Sequence, residues 1–473
     1  MRRFRAHRTI APRYDDTEVA GLPKAAMVLS NSERREAWCS RKWMFSYGRM
    51  LGTKPSMPMQ WGSFMHAILE DIYTHWALTR SKEANSTYSQ NDLLICNDAG
   101  HTAAGFKFVC SRCNNTKMGP VARIRAEVQQ DPDYWESQAE KYGGMEALLK
   151  SLYDSALGYL EMYGKDGPKD YDVVGVEMPM ALPVRNPDTG DIYVSAVPVV
   201  ETSQGWRLAE FREKEPWKMV RLPWYQICRL DAVLQHKRTK DIYALEFKTS
   251  ANPTSYGKDL HLDNQIPGYL LALSSHFNWV ATGAVKGYIW DVISSRKQAE
   301  PKILKSGKLS TEKSQRCPSW KYKQAIEDLC AQGEGMSYED LHNAKEMLNL
   351  LTTTADPKLY HREWGAPGKE VLDRYRWELL IDAMRFGKMR RALVTAETEA
   401  GVLNAFPRVP YCRGPGGACP YAGICMEGGE SLDHTIESFN EMPNSAFTKR
   451  ESVVWLHKEA YNTQQEEPTC PIF

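Results

Sequence analysis

A mixed α/β fold is predicted by three observations. Short β-type runs cluster between Tyr171 and Lys248, a helical stretch and one more strand-like run follow them, and long helical periodicity lies on both sides. The order helix, about three strands, helix, strand calls for a mixed central sheet flanked by helices, carrying large helical insertions and a C-terminal cysteine loop. At 473 residues the chain exceeds what one core usually holds, so two or three structural units are expected.

From the N-terminus, residues 1–25 form a basic arm. Residues 26–79 hold two helical patterns. LSNSERREAWCSRKWMFSYGR (Leu29–Arg49) reads as an amphipathic helix capped by Ser30 or Ser32, and WGSFMHAILEDIYTHW (Trp61–Trp76) as an apolar helix around His66. Residues 80–165 begin with a polar, glycine-containing insertion and return to helix between Val121 and about Tyr163. Residues 166–300 carry the strands, then HLDNQIPGYLLALSSHF (His261–Phe277), helical despite Pro267, and the strand ATGAVKGYIWDVI (Ala281–Ile293). Residues 301–404 open with a lysine-rich segment and turn helical through Tyr338–Leu351 and Lys369–Gly401. Residues 405–430 are a Pro/Gly-rich cysteine loop, and residues 431–473 a tail.

Hydrophobic content of 42% with 25% charged residues is ordinary for a soluble globular protein. No apolar run approaches bilayer length, so no membrane partner and a cytoplasmic location are expected. A net charge of +1 makes any phosphate-binding surface a local concentration of basic residues. Eleven cysteines in so long a chain suggest metal or cluster ligands before a disulfide framework.

The chemistry concentrates in RLDAVLQHKRTKDIYALEFKTS, Arg229–Ser250. Two strand-like runs, Leu230–Gln235 and Ile242–Lys248, flank a polar turn and read as a hairpin, with Asp231 opening the first strand. Glu246 and Lys248 are two apart and share a face, and the hairpin can bring Asp231 across to them. Two carboxylates on rigid strands suit a hard cation such as Mg²⁺ or Mn²⁺. A lysine beside them can orient a water or share its proton, the equipment for metal-assisted phosphodiester hydrolysis. Alternating charge also occurs on solvent-facing strands, so the company of these residues decides. Gln265 and Tyr269, at i and i+4, share a helical face, and His66 closes a G-S-F-M-H stretch.

Taken together these motifs resemble the RecB-like nucleases of the PD-(D/E)XK superfamily: G-x-x-x-H (Gly62–His66), Asp231, E-x-K (Glu246–Lys248) and Q-x-x-x-Y (Gln265–Tyr269), in that order. The resemblance implies a restriction-endonuclease-like core, with His66, Asp231, Glu246 and the backbone carbonyl of Phe247 as metal ligands. It implies a catalytic Lys248, and Gln265 and Tyr269 on DNA. Glu177 is a candidate accessory carboxylate.

Cys412, Cys419 and Cys425 are spaced C-x6-C-P-Y-x3-C. This is similar to an iron–sulfur branch of the family that includes phage, CRISPR-associated and AddB types, where one upstream and three downstream cysteines hold a [4Fe–4S] cluster. Cys39 fits the upstream role, while four thiolates by themselves suit zinc equally. Cys96, His101, Cys110 and Cys113 form C-x4-H-x8-C-x2-C, a set able to bind Zn²⁺ or simply to sit in a loop. The segment Lys302–Gln315, with Lys305 and Lys308, resembles one found in phage-type members and would track phosphates, or stand as a solvated hairpin.

The expected function is a divalent-metal-dependent DNA nuclease, an exonuclease on DNA ends or single strands in phage or bacterial recombination, repair or replication. A structure-specific endonuclease and a DNA-end-binding subunit of a helicase–nuclease complex are the alternatives. No G-x4-G-K-[ST] loop is present, so translocation would need a helicase or recombination partner.

Overall fold

The computed structural model describes residues 22–23, 26–37, 39–48, 51–53, 57–79, 108–109, 116–117, 124, 135–136, 139–164, 168–202, 205–210, 213–257, 264–276, 284–312, 317–331, 336–396, 398–407, 413–414, 417–419, 421, 425 and 447–449. The expected zinc set Cys96, His101, Cys110 and Cys113, the cluster candidate Cys412, nearly all of the N-terminal arm and most of the tail lie outside these residues.

One eight-stranded mixed sheet organises the described chain. Its strands are β1 (Met27–Ser30), β2 (Tyr171–Pro183), β3 (Val194–Thr202), β4 (Gly205–Leu208), β5 (Trp217–His236), β6 (Ile242–Ser250), β7 (Val285–Ser294) and β8 (Tyr360–Gly365). The path runs β8-β7-β6-β5-β3-β4, with β1 and β2 also on β5. β5 meets β2, β3 and β6 antiparallel and β1 parallel, while β6 and β7 run parallel. The crossover from β6 to β7 passes through α6 (Gln265–His276), the connection that two parallel neighbours require. Because α6 starts at Gln265, Pro267 falls in its first turn, where backbone N–H groups have no intrahelical partner to lose.

Helices cover both faces. On one lie α3 (Met57–Thr79) and α4 (Met145–Tyr163). Their Ile68, Leu69, Ile72 and Leu152 are buried with Ala232, Leu234, Leu245 and Phe247 of the sheet. On the other, α6 and α10 (Lys369–Thr395) bury Leu270, Leu273, Leu379 and Phe386 against Val233, Ile242, Ala244 and Trp290. Sequence period two thus serves two cores: in β6, Ile242 and Ala244 face one and Leu245 and Phe247 the other, as in strands covered on both sides. A smaller core joins α7 (Ser319–Ala331) to α8 (Tyr338–Thr354) through Tyr322, Ile326, Met347 and Leu351. No helix among the described residues is long and apolar enough to cross a membrane.

Three expectations need correction. Leu29–Arg49 is not one helix. Leu29 lies in β1, Ser30 caps α1 (Asn31–Glu36) by accepting from Glu33 N, and the chain breaks at Ala37. The Cys39 sulfur then caps α2 (Ser40–Trp43), accepting from Lys42 N at 3.5 Å, and a π-turn over Met44–Gly48 follows. Asp231 does not open its strand, since β5 begins at Trp217. Pro223 hides that continuity in the sequence. It pairs with Val194 at the end of the β3 ladder, where β5 changes partners and a ladder donor can be spared. Likewise Lys369–Gly401 is two helices, because Thr398 caps a new one, α11 (Glu399–Ala405).

Candidate active site

The β5–β6 ladder pairs Gln235 with Ile242 and continues to Ala232 opposite Leu245, where it stops. Just beyond, Asp231 Oδ2 accepts from the Phe247 backbone N–H at 2.6 Å, so a carboxylate takes a donor that the ladder no longer uses. The facing of the strands changes at the same point. Cys228 and Leu230 belong to the α6/α10 core, Ala232 and Leu234 to the α3/α4 core, and regular alternation would put all four on one side. β2 mirrors this. Val176 pairs with Ala232 and Met178 with Leu230, so Glu177 falls opposite Asp231, and its φ of 47° lies in the left-handed region. A non-glycine residue held there is strained, and strands irregular in this way re-aim side chains at functional sites.

His66 arrives from α3, its Nδ1 3.6 Å from Asp231 Oδ2. Gly62, one turn earlier, permits that approach: a Cβ there would stand 2.7 Å from Thr249 Oγ1 of β6. Gly62→Ala is therefore expected to lower both melting temperature and any catalytic rate, and Thr249→Ala in the same chain to restore much of each. Thermal melts and rates of the two single variants and the double variant check this coupling.

From the other face of β6, Lys248 Nζ donates to Glu246 Oε1 at 2.6 Å and to Gln265 Oε1 at 2.7 Å, and lies 5.3 Å from the Trp290 ring centre. Gln265 is the first residue of α6, so the same crossover that makes β6 and β7 parallel delivers this partner to the lysine.

Asp231, Glu246 and Glu177 crowd negative charge into a buried space. Burial and the charge of Asp231 push the Glu246 carboxyl up to about 8 against the pull of Lys248. Burial, Asp231 and Glu70 push Glu177 up to about 8, with Arg229 opposing. Burial also works against ionised Asp231, yet His66 and the Phe247 amide hold its carboxyl below the usual range. Burial disfavours the His66 imidazolium, and Asp231 outweighs it to raise that pKa. Sequence reasoning missed Glu70 and Arg229. Glu70 was accessible to it, being four residues after His66 on the same helical face. Arg229 Nη1 lies 3.8 Å from Glu177 Oε2.

The donor set fits a hard divalent cation. Glu246 Oε2 is buried with no hydrogen-bond donor among the described residues. Neighbouring carboxylates raise one another's proton affinity, which a divalent charge would relieve. Among the described residues no three His, Cys, Asp or Glu side chains form a ready cage. Lys248 occupies one oxygen of Glu246, while the Phe247 amide occupies Asp231. Magnesium-type ions need only one or two carboxylates and keep several waters, so this arrangement is no obstacle.

Of the remaining sequence candidates, Gln265 joins the site and the others sit elsewhere. Tyr269 is 4% exposed in the α6/α10 core, so its side chain packs in the interior and does not present itself to a nucleic acid. Gln265 faces Lys248. Lys308 is paired with Asp340 Oδ2 at 2.9 Å, while Lys305 is exposed on a tight hairpin that turns at Gly307. Arg41, two residues after Cys39, reaches Cys425 Sγ at 3.9 Å and the carbonyl oxygens of Leu403 and Phe406, which fixes α2 to the C-terminal segment carrying Cys419 and Cys425.

A family model described as the PD-(D/E)XK nuclease superfamily matches residues 35–426. No curated protein and no solved structure matches the chain.

Proposed function

The chain belongs to the PD-(D/E)XK nuclease superfamily, and from that premise we propose that it is a RecB-like exonuclease acting on DNA ends or single strands. The observation that carries this reading is the convergence of Asp231, Glu246 and Lys248 with His66 and Gln265 where the β5–β6 ladder ends. Superfamily members hydrolyse phosphodiesters with divalent metals such as Mg²⁺ or Mn²⁺. In this chain Asp231, Glu246, the Phe247 carbonyl and His66 are the groups to hold the ion. When bound it supplies Lewis acidity at the phosphate. Lys248, anchored between Glu246 and Gln265, is placed to orient the attacking water and manage its proton. Gln265 acts by positioning that lysine, and Glu177, opposite Asp231, adds a third carboxyl group to the same pocket.

The test is digestion of end-labelled linear DNA and closed circles with Mn²⁺. Progressive shortening of the linear form with circles intact is the expected result; nicked circles would favour a structure-specific endonuclease. DNA binding without cleavage of either would favour an end-binding subunit for a partner helicase.

A [4Fe–4S] cluster on Cys39, Cys412, Cys419 and Cys425 is part of the proposal. It is supported by the cysteine order and by the Arg41 contacts that hold α2 beside Cys425. Such a cluster would close a long chain loop and stabilise the fold. Anaerobically purified protein is expected to be brown and to carry iron, with Cys39→Ser losing both; a colourless, zinc-bearing protein would refute the iron assignment.

A further inference from the structure

At the turn end of the β5–β6 hairpin, four aromatic side chains from four strands meet. Tyr171 of β2 lies 5.2 Å from the His236 ring of β5, 5.7 Å from Tyr243 of β6 and 5.5 Å from Trp364 of β8, centre to centre. Tyr243 and Trp364 are themselves 6.1 Å apart and nearly perpendicular. A cluster of this kind normally seals a core, yet Trp364 is 47% exposed and Tyr171, His236 and Tyr243 are half-buried.

The rim is mainly basic. The turn supplies exposed Lys237, Arg238 and Lys240, and Lys237 Nζ reaches back to the Lys169 carbonyl at 2.8 Å beside Tyr171. Exposed Lys286 precedes Gly287, which pairs with Tyr243. Asp170, Asp241 and Glu363 are the acidic neighbours, fewer than the cations around them.

We propose that this aromatic cluster, Tyr171, His236, Tyr243 and Trp364 with its basic rim, is a binding site for single-stranded DNA. Exposed π-faces take unpaired bases by stacking, while duplex DNA keeps its bases stacked on one another. Exposed Lys237, Arg238, Lys240 and Lys286 on the adjoining turn and strand supply charge for the backbone phosphates, the combination of platform and electrostatic attraction that sequence-neutral strand binding uses. Tyr243 and Phe247 share a strand face about 13 Å apart, taking 3.3 Å per residue. The platform therefore stands about four residues along β6 from the candidate active site, on the strand face opposite Glu246 and Lys248. The inference rests on the nucleic-acid reading above and adds to it where the unpaired strand is held.

The experiment measures fluorescence anisotropy of labelled oligodeoxythymidylate with the full chain in EDTA, so that no cleavage intervenes. Trp364→Ala is expected to weaken binding about tenfold and Trp364→Tyr to retain most of the affinity. Binding to a fully paired, hairpin-capped duplex should change by less than about twofold. Unchanged strand affinity in Trp364→Ala, an equal loss on the duplex, or no strand binding by the unaltered chain would each overturn the proposal. Cleavage of linear DNA with Mn²⁺ is scored separately. Trp364-dependent binding without cleavage keeps the platform and removes the nuclease proposal; cleavage with Trp364-independent binding does the reverse.

Discussion

Lys248→Ala protein is expected to fold normally and still bind DNA, but to cut it about 10²–10⁴ times more slowly, the usual worth of a positioned proton-handling group. The size of the effect follows from placement. Nζ sits between Glu246 Oε1 and Gln265 Oε1 with its side chain 19% exposed, so no other cation among these contacts takes over its position. Truncation also leaves the buried Glu246 without its counter-charge, and Lys248→Met separates these roles poorly for the same reason. Gln265→Ala is the informative companion. It keeps the lysine and loosens it, and should cost about tenfold, the worth of one hydrogen bond to a charged group. Rates on end-labelled DNA, with circular dichroism to verify folding, check both. A Lys248→Ala variant that cuts at the unaltered rate would remove the lysine from the mechanism.

The largest stability effect is expected away from that site. Asp291 of β7 is fully buried on the α3/α4 side, and Arg362 of β8 grips it with Nε on Oδ1 and Nη2 on Oδ2, both at 2.5 Å. The Tyr159 hydroxyl donates to the same carboxylate and is itself bonded to Tyr73 at 2.8 Å, while the guanidinium lies 3.8 Å from the Tyr163 ring centre. Burial disfavours the charged guanidinium, but Asp291 more than compensates and raises its proton affinity further. Arg362→Ala would strand a buried carboxylate and is expected to destabilise the fold by about 3–5 kcal/mol. Replacing both partners, Asp291→Leu with Arg362→Met, should cost much less, because no buried charge is left unpaired. Denaturant unfolding of the single and double variants tests this. Equal losses in both would mean that shape, not charge, dominates at this position.

The sheet was legible because its residues obey local rules. The turn His236–Asp241 lies between runs of period two, and the apolar run after Gln265 reads as a helix. The sequence pattern begins that helix at His261, whereas the structure begins it at Gln265. The catalytic candidates were legible because each sits on such an element, and the packing of Gly62 against Thr249 gives the G-x-x-x-H spacing a physical reason. What escaped depends on partners far away in the chain. Nothing near Pro223 says that β5 exchanges one neighbour for another there. Tyr269 shares a helical face with Gln265, yet the core behind α6 claims its ring. Asp291 and Arg362 are 71 residues apart and had no motif to announce them. The left-handed Glu177 was invisible for the same reason, since its strain is imposed by the register against β5 and not by its own neighbours.

The carboxylate of Asp231 that holds the Phe247 amide has a spectroscopic consequence. An interior strand amide ordinarily exchanges its hydrogen with solvent deuterium only when the ladder opens, whereas this one is guarded by a side chain that titrates and can be exchanged for another residue. Its isotope uptake, followed against that of Leu245 one rung inside the ladder, would register the state of the centre residue by residue, before any substrate is added.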